Sequence, residues 1–155
     1  MEIYRDIFES PIGTFKLTCT DTGLSGLLFD PDLKDFVQNS HPIIDETKKQ
    51  LDHYFNHQAE EFDIKLDLSG TEFQRKVWKE VYKIKYGVTA TYLDIARSVG
   101  NIKAVRAVGL ANGRNPVPII VPCHRIIGSN NKLIGYGGGL WRKEWLLKHE
   151  GALLI

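Results

Sequence analysis

The chain has 155 residues and a formal net charge of +1, with 43% hydrophobic and 25% charged residues. These values are ordinary for a globular protein and argue against a disordered chain or a fibrous repeat. No apolar run approaches the roughly 20 residues that span a bilayer, and the acidic start lacks the pattern of a secretory signal. We therefore expect a cytosolic protein in which the two cysteines, Cys19 and Cys123, are reduced thiols.

The charge is divided unevenly along the chain. Residues 1–70 carry 6 Lys and Arg against 14 Asp and Glu, a net −8, whereas residues 71–155 carry 14 against 5, a net +9. A basic half of this size indicates a polyanionic partner such as nucleic acid, because phosphate neutralisation supplies most sequence-independent affinity. A basic lobe that simply packs against an acidic one is the alternative. The sign changes near Ser69 and Gly70, where we place the boundary between an amino-terminal lobe, 1–70, and a carboxy-terminal lobe, 71–155.

The amino-terminal lobe is predicted to be a small antiparallel sheet with one helix. Three β-rich runs up to about residue 30 are separated by turn sequences at residues 10–13 and 21–23. Pro42, followed by apolar residues at three- and four-residue intervals, predicts a helix to about His57. Residues 61–68 alternate apolar and polar side chains, which predicts a half-buried strand.

The carboxy-terminal lobe is predicted to be mostly helical. Capping-box pairs mark the start of its first two helices, and these pairs are Thr71 with Gln74 and Thr91 with Asp94. A third helix is predicted from about Lys103, and a fourth from about Leu140 to a stop at Gly151. The second and third helices give a helix-turn-helix outline over residues 91–113, although many helical hairpins with this outline bind nothing.

The third predicted helix has two unlike faces. Its inward face is expected to comprise Ala104, Val105, Val108 and Ala111. Its outward face is small and cationic and comprises Lys103, Arg106, Gly109 and Gly113. Gly109 costs the helix roughly 1 kcal/mol relative to alanine, which indicates that another surface approaches the backbone closely. That surface is either a bound partner, into whose groove Arg106 would reach, or a neighbouring helix.

A cysteine and a histidine follow a stiff segment in NPVPIIVPCHRIIG, where three prolines fix the backbone ahead of Cys123. A cysteine attacks as its thiolate, and an oriented histidine takes the proton directly or through one water. We therefore expect Cys123 to be a nucleophile held ready as an anion, with His124 as its base. The alternative is an inert buried thiol beside a hydrogen-bonded histidine. A zinc site is disfavoured because the other histidines and Cys19 lack ligand spacing.

Glu150 is the candidate for the group that orients His124. It lies in the last turn of the fourth predicted helix, where the helix dipole disfavours a negative charge. Pairing with an imidazole would offset that penalty and set the tautomer, as the acid does in a Ser-His-Asp triad. A solvent-exposed glutamate at a helix end is the plainer alternative.

Three stretches together resemble the O6-alkylguanine-DNA alkyltransferases, also called methylated-DNA-protein-cysteine methyltransferases. They are PVPIIVPCHRII, the preceding YGVTATYLDIARSVGNIKAVRAVGLANGRN and the following IGYGGGLWRKEWLLKHEGA. The resemblance covers about Thr71 to Ala152, and SPIG and TDTGLSGLLF extend it into the amino-terminal lobe. It implies an α+β fold, with a ribonuclease H-like amino-terminal lobe joined to a mostly helical lobe that carries a helix-turn-helix. The related alkyltransferase-like proteins lack the cysteine that this chain has at position 123.

The resemblance implies repair of DNA by direct reversal of damage. The alkyl group of O6-alkylguanine, and also of O4-alkylthymine, would pass to Cys123 in an irreversible, single-turnover reaction of a suicide enzyme. No cofactor and no metal would be needed. The implied partner is double-stranded DNA, bound through the minor groove with the lesion base flipped out. No membrane is involved, and the protein would be monomeric off DNA and would lie in the cytoplasm of a prokaryote, with access to the nucleoid, or in a eukaryotic nucleus.

The same resemblance assigns catalytic roles residue by residue. Cys123 is the alkyl acceptor, His124 the base acting through a water, and Glu150 the partner that orients His124. Asn115 braces the active-site turn. Tyr92 pushes the 3′ phosphate and hydrogen-bonds the lesion base.

DNA contacts and a base pocket are implied as well. Arg106 would fill the space left by the flipped base, and further contacts are implied for Thr91, Tyr92, Lys103, Ala107, Gly109 and Ser129. The pocket for the base would comprise Tyr136, Gly137 and Gly138. Many members of the family carry a serine where this chain has Gly137, so the backbone of residues 134–138 would carry more of the recognition.

Two other classes of protein fit parts of the pattern. A thiol hydrolase would use Cys123, His124 and Glu150 for repeated turnover of an ester or amide. A DNA-binding regulator would use residues 91–113 alone and would not need Cys123.

Overall fold

Residues 2–130 and 133–152 are described by a computed structural model of the chain. Their contacts divide into two units, Met1–Ser69 and Gly70–Ile155. The first contains an antiparallel sheet and the second is mostly helical, which confirms the predicted α+β class. Among the described residues, no helix combines the length and the apolar character needed to cross a membrane.

The first unit is built on a three-stranded antiparallel meander. Its strands are β1 (Tyr4–Ser10), β2 (Gly13–Cys19) and β3 (Leu24–Phe29), in the order β1-β2-β3. The predicted turn between β1 and β2 is present, where the Ser10 hydroxyl donates to the Gly13 carbonyl at 2.8 Å. Alternate residues of β2 are fully buried, and these are Phe15, Leu17 and Cys19. Cys19 is therefore a residue of the sheet core.

One helix packs on this sheet. The helix α1 (Pro42–Phe55) contacts β1 and β2 and buries Ile44 and Leu51. It begins where proline fixes the backbone, and His41 caps it by accepting a hydrogen bond from the Ile43 amide at 3.0 Å. The predicted helix at this position is confirmed, two residues shorter at its end than expected.

The predicted strand over residues 61–68 is wrong. Side-chain exposure does alternate there, but the only bridge, from Leu66, is to Leu24. At Asp63 the side chain of Gln50 takes the place of a partner strand, since its Oε1 accepts from the Asp63 amide and its Nε2 donates to the Asp63 carbonyl. Alternating burial needs only an extended backbone, whereas a strand also needs a neighbour along its length.

Within residues 70–130 and 133–152, the second unit contains four α-helices, two 3₁₀ turns and one short pair of strands. The α-helices are α2 (Glu72–Tyr82), α3 (Tyr92–Ser98), α4 (Val105–Gly113) and α5 (Leu140–His149). The 3₁₀ turns are Ile102–Ala104 and Cys123–Arg125, and the strands are β4 (Ala90–Thr91) and β5 (Ile126–Ile127). The helix-turn-helix outline is therefore present, formed by α3 and α4.

Both predicted capping boxes are present at the starts of α2 and α3. In each, the threonine side chain accepts from an amide of the first turn, and a side chain of that turn accepts from the threonine amide. The helix α2 then buries Trp78, whose indole donates to the Ala111 carbonyl of α4 at 2.8 Å. The helix-turn-helix is thus fastened to a buried side chain of α2.

The predicted inward face of α4 is wrong at one position. Val108 and Ala111 are buried, but Val105 is 37% exposed. Val105 is the first residue of α4, directly after the 3₁₀ turn Ile102–Ala104. The predicted face treats residues 104–111 as one continuous α-helix, whereas Ala104 lies outside α4 and Val105 lies at its first position.

The two short strands lie beside each other in parallel. Ala90 pairs with Ile126 and Thr91 with Ile127. This pairing joins the start of α3 to the chain that leaves the turn Cys123–Arg125. This pairing was not predictable from the sequence, because two residues are too short for a periodic pattern.

The cap of α2 gives a direct test of local stability. We expect Thr71→Ala to lower the free energy of unfolding of the second unit by about 1 kcal/mol, because the hydrogen bond that the Thr71 hydroxyl accepts from the Gln74 amide is lost. All three tryptophans lie in that unit, so fluorescence during urea unfolding reports on it. Thr89→Ala, at an exposed loop threonine, is the control and should change little. Equal effects of the two changes would contradict the role of the cap.

Candidate active site

The segment ahead of Cys123 is held in one conformation by Asn115. The Asn115 side chain accepts from the Val117 amide at 3.0 Å and donates to the Val121 carbonyl at 2.8 Å. Ile119, between them, has a positive φ of 76°, which is costly for a β-branched residue and persists only where the surroundings enforce it. The segment therefore presents Cys123 at a fixed position.

Cys123 lies in the buried turn Cys123–Arg125 and is 5% exposed. Burial raises the pKa of its thiol, while the side chains of Asn115 and Tyr136 and the charge of Lys143 act in the opposite direction. The net effect is a raised pKa, so the thiol is neutral at rest. The expectation of a resting anion is therefore wrong, because removing the sulfur from water disfavours its charged form.

His124 is fully buried and lies against Glu150. Its Nε2 is 2.8 Å from Oε2 of Glu150, and burial lowers the pKa of the imidazole. A neutral imidazole facing a carboxylate must carry its proton on Nε2, the atom that donates to Glu150. Nδ1 then carries the lone pair, and it is buried with no hydrogen-bond partner among residues 2–130 and 133–152. An unpartnered buried acceptor next to a thiol is placed to take a proton.

Glu150 is buried at the end of α5, which excludes the alternative of a solvent-exposed glutamate. Burial by itself raises the pKa of Glu150, but hydrogen bonds from His124 and Arg125 outweigh it and hold the pKa well below its usual range. Arg125 donates from Nε to Oε1 at 2.8 Å and from Nη2 to Oε2 at 2.9 Å. The Gly87 amide lies 3.4 Å from Oε1. The carboxylate is therefore an anion at every pH near neutrality.

Sequence reasoning missed Arg125 and Lys143. The signal for Arg125 was the predicted carboxylate itself, because a buried anion needs a cation beside it. Lys143 is fully buried in α5, and burial lowers its pKa to about 8. Its Nζ donates to the carbonyl of Ile134 at 3.0 Å and lies 3.4 Å from that of Gly135. It thus fastens the loop that leads into the predicted base pocket.

Tyr92 and the same loop are in contact. The Tyr92 hydroxyl donates to the Ile134 carbonyl at 3.3 Å, and burial raises the pKa of Tyr92, with the nearby Cys123 as a further cause. The structure thereby brings the predicted site residues Asn115 and Tyr92 close to the Cys123 thiol, and it pairs His124 with Glu150.

The predicted base-pocket residues differ in exposure. Tyr136 is half-buried and faces the Cys123 thiol. Gly137 is exposed, and a Cβ there would lie 3.9 Å from the nearest neighbour, the Gly113 carbonyl, which is ordinary contact. Gly138 is buried, and its carbonyl accepts from Arg142 at 2.8 Å.

The predicted DNA-contacting residues are mostly exposed on the second unit. Exposed members are Lys103, Arg106, Ala107 and Ser129. Thr91 is half-buried, because its side chain accepts from the Asp94 amide as the cap of α3. A Cβ on Gly109 would lie 3.8 Å from the Tyr92 ring, which is ordinary contact. Packing inside the chain therefore does not require glycine at 109, which removes the neighbouring-helix explanation.

Metal ligands are not grouped in the described part of the chain. No cluster of three or more His, Cys, Asp or Glu that could hold an ion occurs within residues 2–130 and 133–152. Both cysteines are free thiols.

Comparison with known proteins gives matches to both units. A family model for the DNA-binding domain of 6-O-methylguanine DNA methyltransferase matches residues 72–152, and one for the ribonuclease-like domain of the same family matches residues 3–68. A methylated-DNA-protein-cysteine methyltransferase of Methanosarcina acetivorans is 49% identical over 97% of this chain and 99% of its own. One of Mycobacterium leprae is 58% identical over 92% of this chain and 88% of its own.

A solved structure agrees with these matches. The crystal structure of Mycobacterium tuberculosis OGT in complex with DNA has 43% sequence identity and a TM-score of 0.87, covering 96% of this chain and 93% of that one. The chain therefore belongs to the 6-O-methylguanine DNA methyltransferase family.

Proposed function

We propose that this protein repairs alkylated DNA by moving the alkyl group from O6 of guanine, and from O4 of thymine, to Sγ of Cys123. The observation that carries the proposal is the buried His124–Glu150 pair directly after the buried Cys123, in a lobe that matches the DNA-binding domain of its family. The relative solved with DNA supports DNA as the partner.

The chemistry starts from a neutral thiol. Nδ1 of His124 takes the proton of the Cys123 thiol, through one water, as the sulfur attacks the alkyl carbon. The S–C bond forms while the C–O6 bond breaks, and the departing base keeps the electron pair and takes up one proton to become guanine. Glu150 stabilises the imidazolium that forms, as the acid does in a hydrolase triad.

The product explains why the protein would act once. An alkyl thioether has no carbonyl for water to attack, so the alkylated Cys123 is not regenerated. A thiol hydrolase with the same three side chains would instead form a thioester and turn over. No cofactor enters the reaction.

The base must leave the helix before its O6 reaches a buried sulfur. Extruding a nucleotide costs a few kcal/mol, and less for a poorly paired base. We assign to Arg106 the filling of the vacated space, and to Tyr92 the contacts with the 3′ phosphate and the base. The small residues Ala107 and Gly109 let α4 approach the narrow minor groove, with Lys103, Thr91 and Ser129 as further contacts.

The extruded base would lie against Tyr136, Gly137 and Gly138. Because Gly137 offers no side-chain hydroxyl, we assign recognition there to the backbone of residues 134–138, which Lys143 and Tyr92 hold through Ile134. We place the protein, as a monomer when off DNA, where chromosomal DNA is reached: in prokaryotic cytoplasm or in a eukaryotic nucleus.

Intact mass tests the reaction. After mixing with an excess of duplex oligonucleotide that contains O6-methylguanine, we expect the protein to gain one methyl group, located on Cys123, and then no more. Cys123→Ser should gain none while still binding the lesion, because the fold keeps its DNA surface. Repeated turnover by the unmodified protein would favour a hydrolase. If Cys123→Ser kept every activity of the unmodified protein, a regulator would be favoured. Either result contradicts the proposal.

Arg106 is tested by comparing substrates. Arg106→Ala should slow transfer from duplex DNA by roughly tenfold or more, since stabilising an extruded nucleotide is worth a few kcal/mol, and should leave transfer from the free base O6-methylguanine nearly unchanged. Arg75→Ala removes the same charge from α2 and serves as the control. Equal losses on duplex and free base would rule out a role in extrusion.

Glu150 links the site to stability. At neutral pH we expect Glu150→Gln to cost about 3 to 5 kcal/mol of unfolding free energy, because the charge of Arg125 stays buried without its partner. A carboxyl whose folded pKa is depressed contributes stability above its unfolded pKa of about 4.3 and loses it as the pH falls toward the folded pKa. The difference between the two proteins should therefore shrink below about pH 4.3.

The control lies on the same helix. Glu144→Gln removes an exposed carboxylate that is paired with Lys148 at 2.9 Å, and such pairs contribute only about 0.5 kcal/mol. Unfolding followed by tryptophan fluorescence measures both variants. A pH-independent difference for Glu150→Gln would show that Glu150 is not the buried anion described above.

A further inference from the structure

Arg125 is fixed on every side of its guanidinium group. Besides the two bonds to Glu150, Nη1 donates to the Ile84 carbonyl at 2.6 Å. The guanidinium carbon lies 5.8 Å from the centre of the Tyr86 ring, within the range of a cation-π contact. The side chain is only 7% exposed. Because three nitrogens of Arg125 donate hydrogen bonds and one face of its guanidinium lies against Tyr86, the group has a single available position.

The position of Arg125 decides how much negative charge His124 faces. Both carboxylate oxygens of Glu150 accept from Arg125, and one of them also accepts from His124. A paired guanidinium and carboxylate carry no net charge. His124 also lies near Lys143 of α5 and follows Cys123 in the chain, and neither adds negative charge while the thiol is neutral. A second proton on the imidazole therefore has no uncompensated anion to stabilise it.

Removing the arginine would change this balance. Of the groups described above, only the neutral imidazole of His124 and the Gly87 amide would then remain beside the fully buried carboxylate of Glu150. A buried anion without a cation is strongly unfavourable, and the nearest group that can become a cation is His124. The pair would gain one proton, and the resulting imidazolium has no lone pair at Nδ1 with which to accept another.

We propose that Arg125 is a positioning residue that sets the proton count of the His124–Glu150 pair, leaving one proton on Nε2 and the Nδ1 lone pair open for the thiol proton. This inference rests on the proposed function for its role in transfer. The Arg125 guanidinium bonds to Glu150 and to the Ile84 carbonyl, so it acts through Glu150 and His124. The ion pair between Arg125 and Glu150 would therefore control the protonation of His124 in addition to stabilising the fold.

Nitrogen NMR of histidine labelled with ¹⁵N tests the proposal in the intact protein without DNA. The signal of His124 is identified among the five histidines by its loss in His124→Asn. In the unmodified protein we expect neutral His124 with the proton on Nε2 through the neutral range. In Arg125→Gln we expect a protonated ring at neutral pH. A neutral ring with the same tautomer in Arg125→Gln overturns the proposal.

Two further variants keep the test decisive. Arg125→Lys keeps the charge but holds one carboxylate oxygen at a time, so the midpoint of the His124 titration should shift upward by less than in Arg125→Gln. If Arg125→Gln fails to fold, an unshifted midpoint in Arg125→Lys overturns the proposal by itself. Arg75→Gln removes a surface arginine of the same unit and should leave the titration unchanged; an equal shift there would also overturn it.

The effect on transfer is measured separately. The acidic limb of the single-turnover rate against pH should move to higher pH in Arg125→Gln, because a protonated His124 cannot accept the thiol proton. An unmodified protein that transfers no alkyl group would defeat the proposed function while leaving the NMR result intact. The two failures are therefore distinguishable.

Discussion

The buried carboxylate of Glu150 is the constraint on which the rest of the site depends. It lies at the carboxyl end of α5, where the helix dipole disfavours an anion, and its side chain has no contact with solvent. Only the donors around it make that position tolerable, and they come from the 3₁₀ turn Cys123–Arg125 and from the Gly87 amide after α2. The hydrogen bonds to this one carboxylate thereby join the loop after α2, the turn Cys123–Arg125 and α5.

Burial then governs the protonation of the groups around the thiol. It raises the pKa of Cys123 and Tyr92, and it lowers the pKa of His124 and that of Lys143, the latter to about 8. At rest the thiol of Cys123 and the imidazole of His124 are therefore uncharged, whereas Lys143 is still mainly protonated at neutral pH. In the proposed reaction, charge develops on the thiol and the imidazole only as the sulfur attacks. For the single-use nucleophile proposed above, a neutral and enclosed thiol would also limit loss to small alkylating or oxidising molecules, since the thiolate is the reactive form.

Patterns that depend on local chemistry were readable from the sequence, and those that depend on burial were not. The capping boxes, the meander and the position of Glu150 at a helix end were predicted from neighbouring residues, and all three are present in the structure. Arg125 and Lys143 look like ordinary surface cations in the sequence, because nothing local shows that their side chains are buried. The prediction of a resting thiolate at Cys123 was wrong for the same reason, because the burial of its sulfur is not visible in the sequence. Residues 61–68 have the alternation of a strand but lack a partner along their length.

The central claim is that burial keeps Cys123 neutral until His124 accepts its proton. The most direct measurement is the ultraviolet absorbance of the thiolate, taken as the difference between the unmodified protein and Cys123→Ser while the pH is raised in the absence of DNA. The account predicts no thiolate signal from Cys123 at neutral pH, with the signal appearing only above the ordinary cysteine pKa of about 8.5. A full thiolate signal at neutral pH would contradict it.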